Sequence, residues 1–157
     1  MDGNRGGDKG MIIEELIAES RSDFLTVLPD HSVMETAQLF GQRRTAVIVV
    51  CGNDGLIEGV VSLGDIAYSI GEEGAEAVGR PVKQVMTTDV ISCEPSDDIE
   101  SALHKMNDLG VRHLPVVENG RVVDVVSHTR ALEVLYKGAA LDFAQLRSYV
   151  FKSGGRY

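Results

Sequence analysis

The sequence predicts an α+β fold in which one strand–helix–strand–strand–helix unit is used twice, and three observations lead there. PDHSVMETAQLF, beginning at Pro29, lies over PSDDIESALHKM, beginning at Pro95, at an offset of 66. Each is followed by a β-branched run and an Asn/Gly turn, AVIVVCGNDG in the first copy and LPVVENG in the second. Each copy then closes on nearly the same phrase, GVVSLGD at Gly59–Asp65 and DVVSHTR at Asp124–Arg130, where the offset drops to 65. A repeat of this kind decides the fold class before any single element does.

Taken in order, residues 1–10 are Gly-rich and polar and read as a disordered leader, and residues 11–21 (around MIIEELIAES) as an N-terminal helix. The first copy spans 22–78. Its helix shows Val33, Ala37 and Phe40 at i, i+4 and i+7, and Ile99, Leu103 and Met106 repeat that stripe in the second copy. Ser32 and Asp98 precede the stripes as N-caps, because their side-chain oxygens can accept free first-turn amides. Ala46–Val50 and Leu114–Val117 are apolar on both faces and predict strands covered on both sides. Asn53-Asp54-Gly55 and Asn119-Gly120 supply hairpin turns, LIEGVVS and RVVDVVS the partner strands, and DIAYSIGEEG and RALEVLYKG the closing helices. Residues 79–87 read as a linker with a short helical turn, 88–138 as the second copy, and 139–157 as a C-terminal helix and tail. The apolar stripes of the two terminal helices, Leu141, Phe143, Leu146 and Val150 in the second, either cover the chain's own surface or pair with a second copy, and a homodimer is expected.

With 157 residues, 43% hydrophobic and 25% charged, and no long apolar run, the composition is that of a soluble globular protein. The net charge of −9 argues against a nucleic-acid or anionic membrane surface, which needs clustered Lys and Arg. Cys51 and Cys93 lack CxxC or His-spaced partners and read as buried free thiols; with no secretory signal, the expected compartment is the cytoplasm. His31, His104, His113 and His128 are scattered, and neither GxSxG nor a GKT phosphate loop occurs, so no catalytic or metal constellation emerges and no enzyme is expected.

The chemistry sits where GVVSLGD hands a strand to a helix. A carboxylate in the first helical turn is steadied by the dipole and free amides by roughly 0.3–1 kcal/mol, so Asp65 stays ionised and can accept from two adjacent ribose hydroxyls. Asp65 acting only as a helix cap is the other reading. Gly59, lacking a side chain, lets a flat base approach the strand, and Ser62 can donate or accept. In the second copy Asp124 replaces the glycine and Arg130 the carboxylate. Arg130 therefore meets a phosphate, pairs with an acid, or stands in solvent.

VMTTDVIS, GVRHLPVVENGR and the Gly-apolar-apolar-Ser-x-x-Asp run together resemble a tandem pair of cystathionine β-synthase (CBS) domains, the Bateman module, of the small stand-alone bacterial type. The resemblance covers roughly Ser22–Tyr136. It implies two repeats packed about a pseudo-twofold axis, with clefts between them for an adenosine-containing ligand: AMP, ADP, ATP, NAD or S-adenosylmethionine. It further implies Asp65 on the ribose, Ser62, Gly59 and Val61 lining the cleft, Thr88 and Val90 within Thr88–Ile91 facing the base, and Arg112 and His113 near phosphate. The cleft that keeps Asp65 is expected to lack a basic pair of its own, Ala46 and Val47 standing there, so that Arg43, Arg44 or a neighbouring chain would have to serve. At most one good nucleoside site per chain follows. The expected role is regulatory, with no required cofactor and with an unidentified regulated protein as a further partner; the alternative is a dimerisation module that has lost ligand binding.

Overall fold

The computed structural model describes residues 10–19 and 21–136. The elements are α1 (Ile13–Glu19), β1 (Thr26–Val27), α2 (Val33–Arg43), β2 (Val47–Cys51), β3 (Ile57–Ser62), α3 (Leu63–Glu73), α4 (Ile99–Leu109), β4 (His113–Glu118), β5 (Arg121–Ser127) and α5 (His128–Leu135). The C-terminal helix expected at 139–157 lies outside the described residues.

Ser32 and Asp98 cap α2 and α4 as the sequence predicts, accepting from the Glu35 and Ser101 amides. Behind them, Val33, Phe40, Ile99 and Met106 are almost wholly buried. β1, β2 and β3 form one sheet, β1 parallel to β2 and β3 antiparallel to it; β4 and β5 form an antiparallel pair. The second copy's first strand shrinks to a single bridge, Cys93 beside Val116, at the place of Val27 beside Val50. Both cysteines are buried and free. Burial raises the Cys51 thiol and pushes that of Cys93 up to about 12, so both are protonated, unreactive packing residues.

The two copies exchange their flanks. The linker residues Arg80, Val82 and Lys83 make backbone hydrogen bonds of 2.7–3.0 Å with Val33, His31 and Pro29 at the head of α2. Met11, Ile13 and Glu14 make the matching bonds, 2.8–3.0 Å, with Ile99, Asp97 and Pro95 at the head of α4. Thus α1, which precedes the first copy, completes the second, and the linker after the first copy completes the first. The exchange continues at the strands: Thr87, on the way into the second copy, bonds both ways with Val60 of β3, at 2.8 and 3.0 Å. The hairpin tips also meet, Ile57 N donating to Gly120 O at 2.9 Å.

These contacts give each copy a core, Val27, Val33, Phe40, Ile48, Val61 and Val82 in the first and Ile13, Leu16, Ile99, Met106, Leu114 and Val126 in the second. Val49, Cys51 and Val125 join the sheets between them. The apolar stripe of α1 therefore covers this chain's own surface.

Leu16 is fully buried in the second copy's core. Leu16→Ala is expected to lower unfolding free energy by about 2–5 kcal/mol in a urea titration; a loss below about 0.5 kcal/mol, as for a surface position, would mean that α1 is not part of that core.

Candidate functional site

At the junction of β3 and α3, Ser62 is extended and its Oγ accepts from the Asp65 amide at 3.2 Å. Asp65 Oδ2 accepts in return from the Ser62 amide at 2.8 Å and from the Ser62 hydroxyl at 3.0 Å. This capping box satisfies first-turn donors that would otherwise be unpaired. Asp65 is thus a cap, and no hydrogen bond among the described residues uses its Oδ1.

Ser62 and Asp65 also line a cavity of about 500 Å³, within the ~300–1,000 Å³ usual for small-molecule sites. Both copies and the lead-in build it. The first contributes Ala46, Val47 and Val60, the lead-in contributes Thr87, Asp89 and Ile91, and the second contributes Arg112 and His113 with Ser127, His128 and Thr129. Arg112 and His113 thus share one cavity with Asp65, contrary to the expectation that this cleft lacks a basic pair. That expectation assigned each pair to its own copy; the cavity lies between copies. Arg43 and Arg44 do not line it: Arg43 reaches the exposed Asp23 at 3.3 Å, and Arg44 is the left-handed C-cap of α2.

Strand parity displaces three more of the expected positions by one residue. In β3, Val60 and Ser62 face the cavity, while Val61 is fully buried in the first copy's core. In the lead-in, Thr87, Asp89 and Ile91 face it, and Thr88 and Val90 do not. A shift of one residue along an extended segment reverses its faces, and neither Val60-Val61 nor Thr87-Thr88 marks which face is which. Gly59 is needed for a different approach from the one expected: a Cβ there would lie 2.6 Å from Met86 Sδ and 2.9 Å from the Thr87 carbonyl oxygen. The lead-in, rather than a base, crosses closely over that glycine.

In the second copy the two departures meet each other. Arg130 donates to Asp124 at 3.0 Å, with the side chains 13% and 0% exposed. The guanidinium also reaches the Val125 carbonyl at 3.4 Å and the Leu16 carbonyl at 3.5 Å. Asp124 additionally accepts from the Val125 amide at 2.7 Å and from the Ser22 amide and hydroxyl. Arg130 is therefore an internal ion-pair residue outside the cavity. At the place where Gly59 accommodates the second lead-in, Asp124 grips Ser22 of the first.

Burial, reinforced by the neighbouring Arg112 charge, lowers the pKa of His113 and of His128. His128 donates from Nε2 to Asn107 Oδ1 at 3.0 Å, and its buried Nδ1 has no partner among the described residues. A second proton would therefore enter an apolar, acceptor-free position. Sequence reasoning missed His128 because it occupies the place of Leu63; its polarity, at a position apolar in the first copy, was the available signal.

A two-copy α+β module with an inter-repeat cleft is the class of protein that this fold and cavity define. The family model for the CBS domain matches residues 13–72 and 82–137, and the chain belongs to the CBS domain family. It is 34% identical over 111 residues to the uncharacterized protein MJ1232 of Methanocaldococcus jannaschii, covering 70% of this chain but only 36% of that relative. The CBS-domain protein ATU1752 of Agrobacterium tumefaciens matches with a TM-score of 0.72 at 26% identity, over 79% of this chain and 98% of that one. The CBS domain pair of MJ0100, solved with 5′-methylthioadenosine and S-adenosyl-L-methionine, matches with a TM-score of 0.69 at 20% identity, over 82% and 98% of the two chains.

Two outcomes are expected. Arg130→Met strands the Asp124 carboxylate in the core and should destabilise the chain by about 3–5 kcal/mol in denaturant titrations; a change under about 1 kcal/mol would mean that the pair is solvated. Unfolded histidines take up protons below the ordinary value near 6.5, where the native His113 and His128 resist them. Their contribution is therefore complete above that value and is lost as pH falls. The urea midpoint should drop between pH 7.5 and 5.5, and a flat or rising midpoint contradicts this assignment.

Proposed function

We propose that this chain is a regulatory module that binds an adenosine-containing nucleotide, from the group AMP, ADP, ATP, NAD and S-adenosylmethionine, in the cavity between its repeats. Occupancy is then passed to a partner protein or a second subunit. The observation that carries this reading is the meeting, in one cavity, of the helix-cap carboxylate Asp65 from the first copy with Arg112 from the second. Asp65 Oδ2 is held by Ser62, which orients the group, and Oδ1 remains to accept ribose hydroxyls. Val47, Val60 and Ile91 give the wall apolar surface suited to a base, and Arg112 offers a donor fork to an anionic tail. The adenosine compounds named with the MJ0100 pair support the choice of ligand class. Pairing with a second copy belongs to the same reading: Leu63 and Tyr68 on α3 are 51% and 68% exposed, an apolar face that a partner would cover.

Calorimetry against AMP, ATP, NAD and S-adenosylmethionine tests the reading, with Asp65→Asn as the control. The amide oxygen of Asn can keep the Ser62 cap while the charge is lost, so affinity should fall at least about tenfold, the loss of one charged hydrogen bond, with little change in melting temperature. No heat from any of the four, or equal affinity in the variant, would sink it and favour an interaction module without a ligand. Light scattering at tens of micromolar should give twice the 16.9 kDa chain mass, and a monomer contradicts the pairing.

A further inference from the structure

We infer, resting on the adenosine reading of this cavity, that its ligand carries a tail of no more than one phosphate. Of the described residues that line the cavity, Arg112 is the single Lys or Arg, whereas Asp65 and Asp89 bring two carboxylates to the same cavity. Arg112 joins none of the ion pairs among the described residues, so its guanidinium is open to an incoming anion. One guanidinium matches one phosphate through two parallel hydrogen bonds.

A second and third phosphate would each add negative charge without meeting another cation among the described lining residues. Arg130, the nearest candidate by sequence, is committed to Asp124, and Arg43 to Asp23. The exposed Asp89 carboxylate has no hydrogen bond or ion pair among the described residues and repels an extended polyphosphate. His113 and His128, lowered by burial and by Arg112, remain neutral at pH 7 and add no compensating charge. Repulsion by these carboxylates is expected to weaken binding by about tenfold per unmatched phosphate.

Calorimetry with adenosine, AMP, ADP and ATP, at low salt with EDTA to keep the nucleotides metal-free, reads this directly on the wild-type chain and on Asp89→Asn. AMP should bind most tightly, ADP and ATP successively weaker by about tenfold each, and Asp89→Asn should narrow the AMP-to-ATP gap at least threefold, through the loss of one like charge. ATP binding as tightly as AMP overturns the one-phosphate limit and leaves the adenosine reading standing. An unchanged gap in Asp89→Asn overturns the part given to that carboxylate. Failure of all four compounds to bind removes the adenosine reading and this inference together.

Discussion

One pair of backbone hydrogen bonds between Val60 and Thr87, and the matching grip of Asp124 on Ser22, hold the chain's two lead-in segments across strands of the other copy. Neither copy is complete without chain drawn from outside its own repeat. Because α1 packs into the second core and the linker caps the first, the halves are tied covalently and by packing. The groove between them is consequently built to fixed dimensions, with one wall from each copy. That is how a carboxylate and a guanidinium 47 positions apart in sequence come to share a cavity.

Within that near-symmetry the two copies differ at two corresponding positions of the strand–helix corner, Gly59 and Asp65 in the first and Asp124 and Arg130 in the second. The first copy keeps a glycine that the lead-in crosses and a carboxylate that caps a helix. The second replaces both, and the replacements form a buried pair that also fastens Ser22 and the end of α1. An Arg alone there would bury an unmatched charge, and an Asp alone would do the same, so the two substitutions make sense only together. The exchange turns a helix-capping carboxylate at the cavity into a buried ion pair away from it. Pseudo-symmetry of the backbone thus coexists with asymmetry of the chemistry.

Much of this was legible in the residues. The apolar stripes of α2 and α4, the caps Ser32 and Asp98, and the hairpins at Asn53-Asp54-Gly55 and Asn119-Gly120 follow from local rules that the second copy repeats, and repetition made each more secure. Parity at Val60 and Val61, and at Thr87 and Thr88, was not legible, since both faces of those segments are apolar or small. The exchange of α1 and the linker was equally hidden: amphipathic periodicity says that Leu16 is buried, not against which core. The pairing of Arg130 with Asp124 stood among the sequence alternatives, and only the fold decided it by bringing them six residues apart on one strand–helix corner.

Whether the two interlocked halves make one nucleoside cleft is tested most directly by a crystal structure of the chain grown with AMP. It should contain one nucleoside per chain, its ribose hydroxyls on Asp65 Oδ1, its base against Val60 and Ile91, and Arg130 still bonded to Asp124. A nucleoside beside Arg130, or two bound per chain, would contradict it.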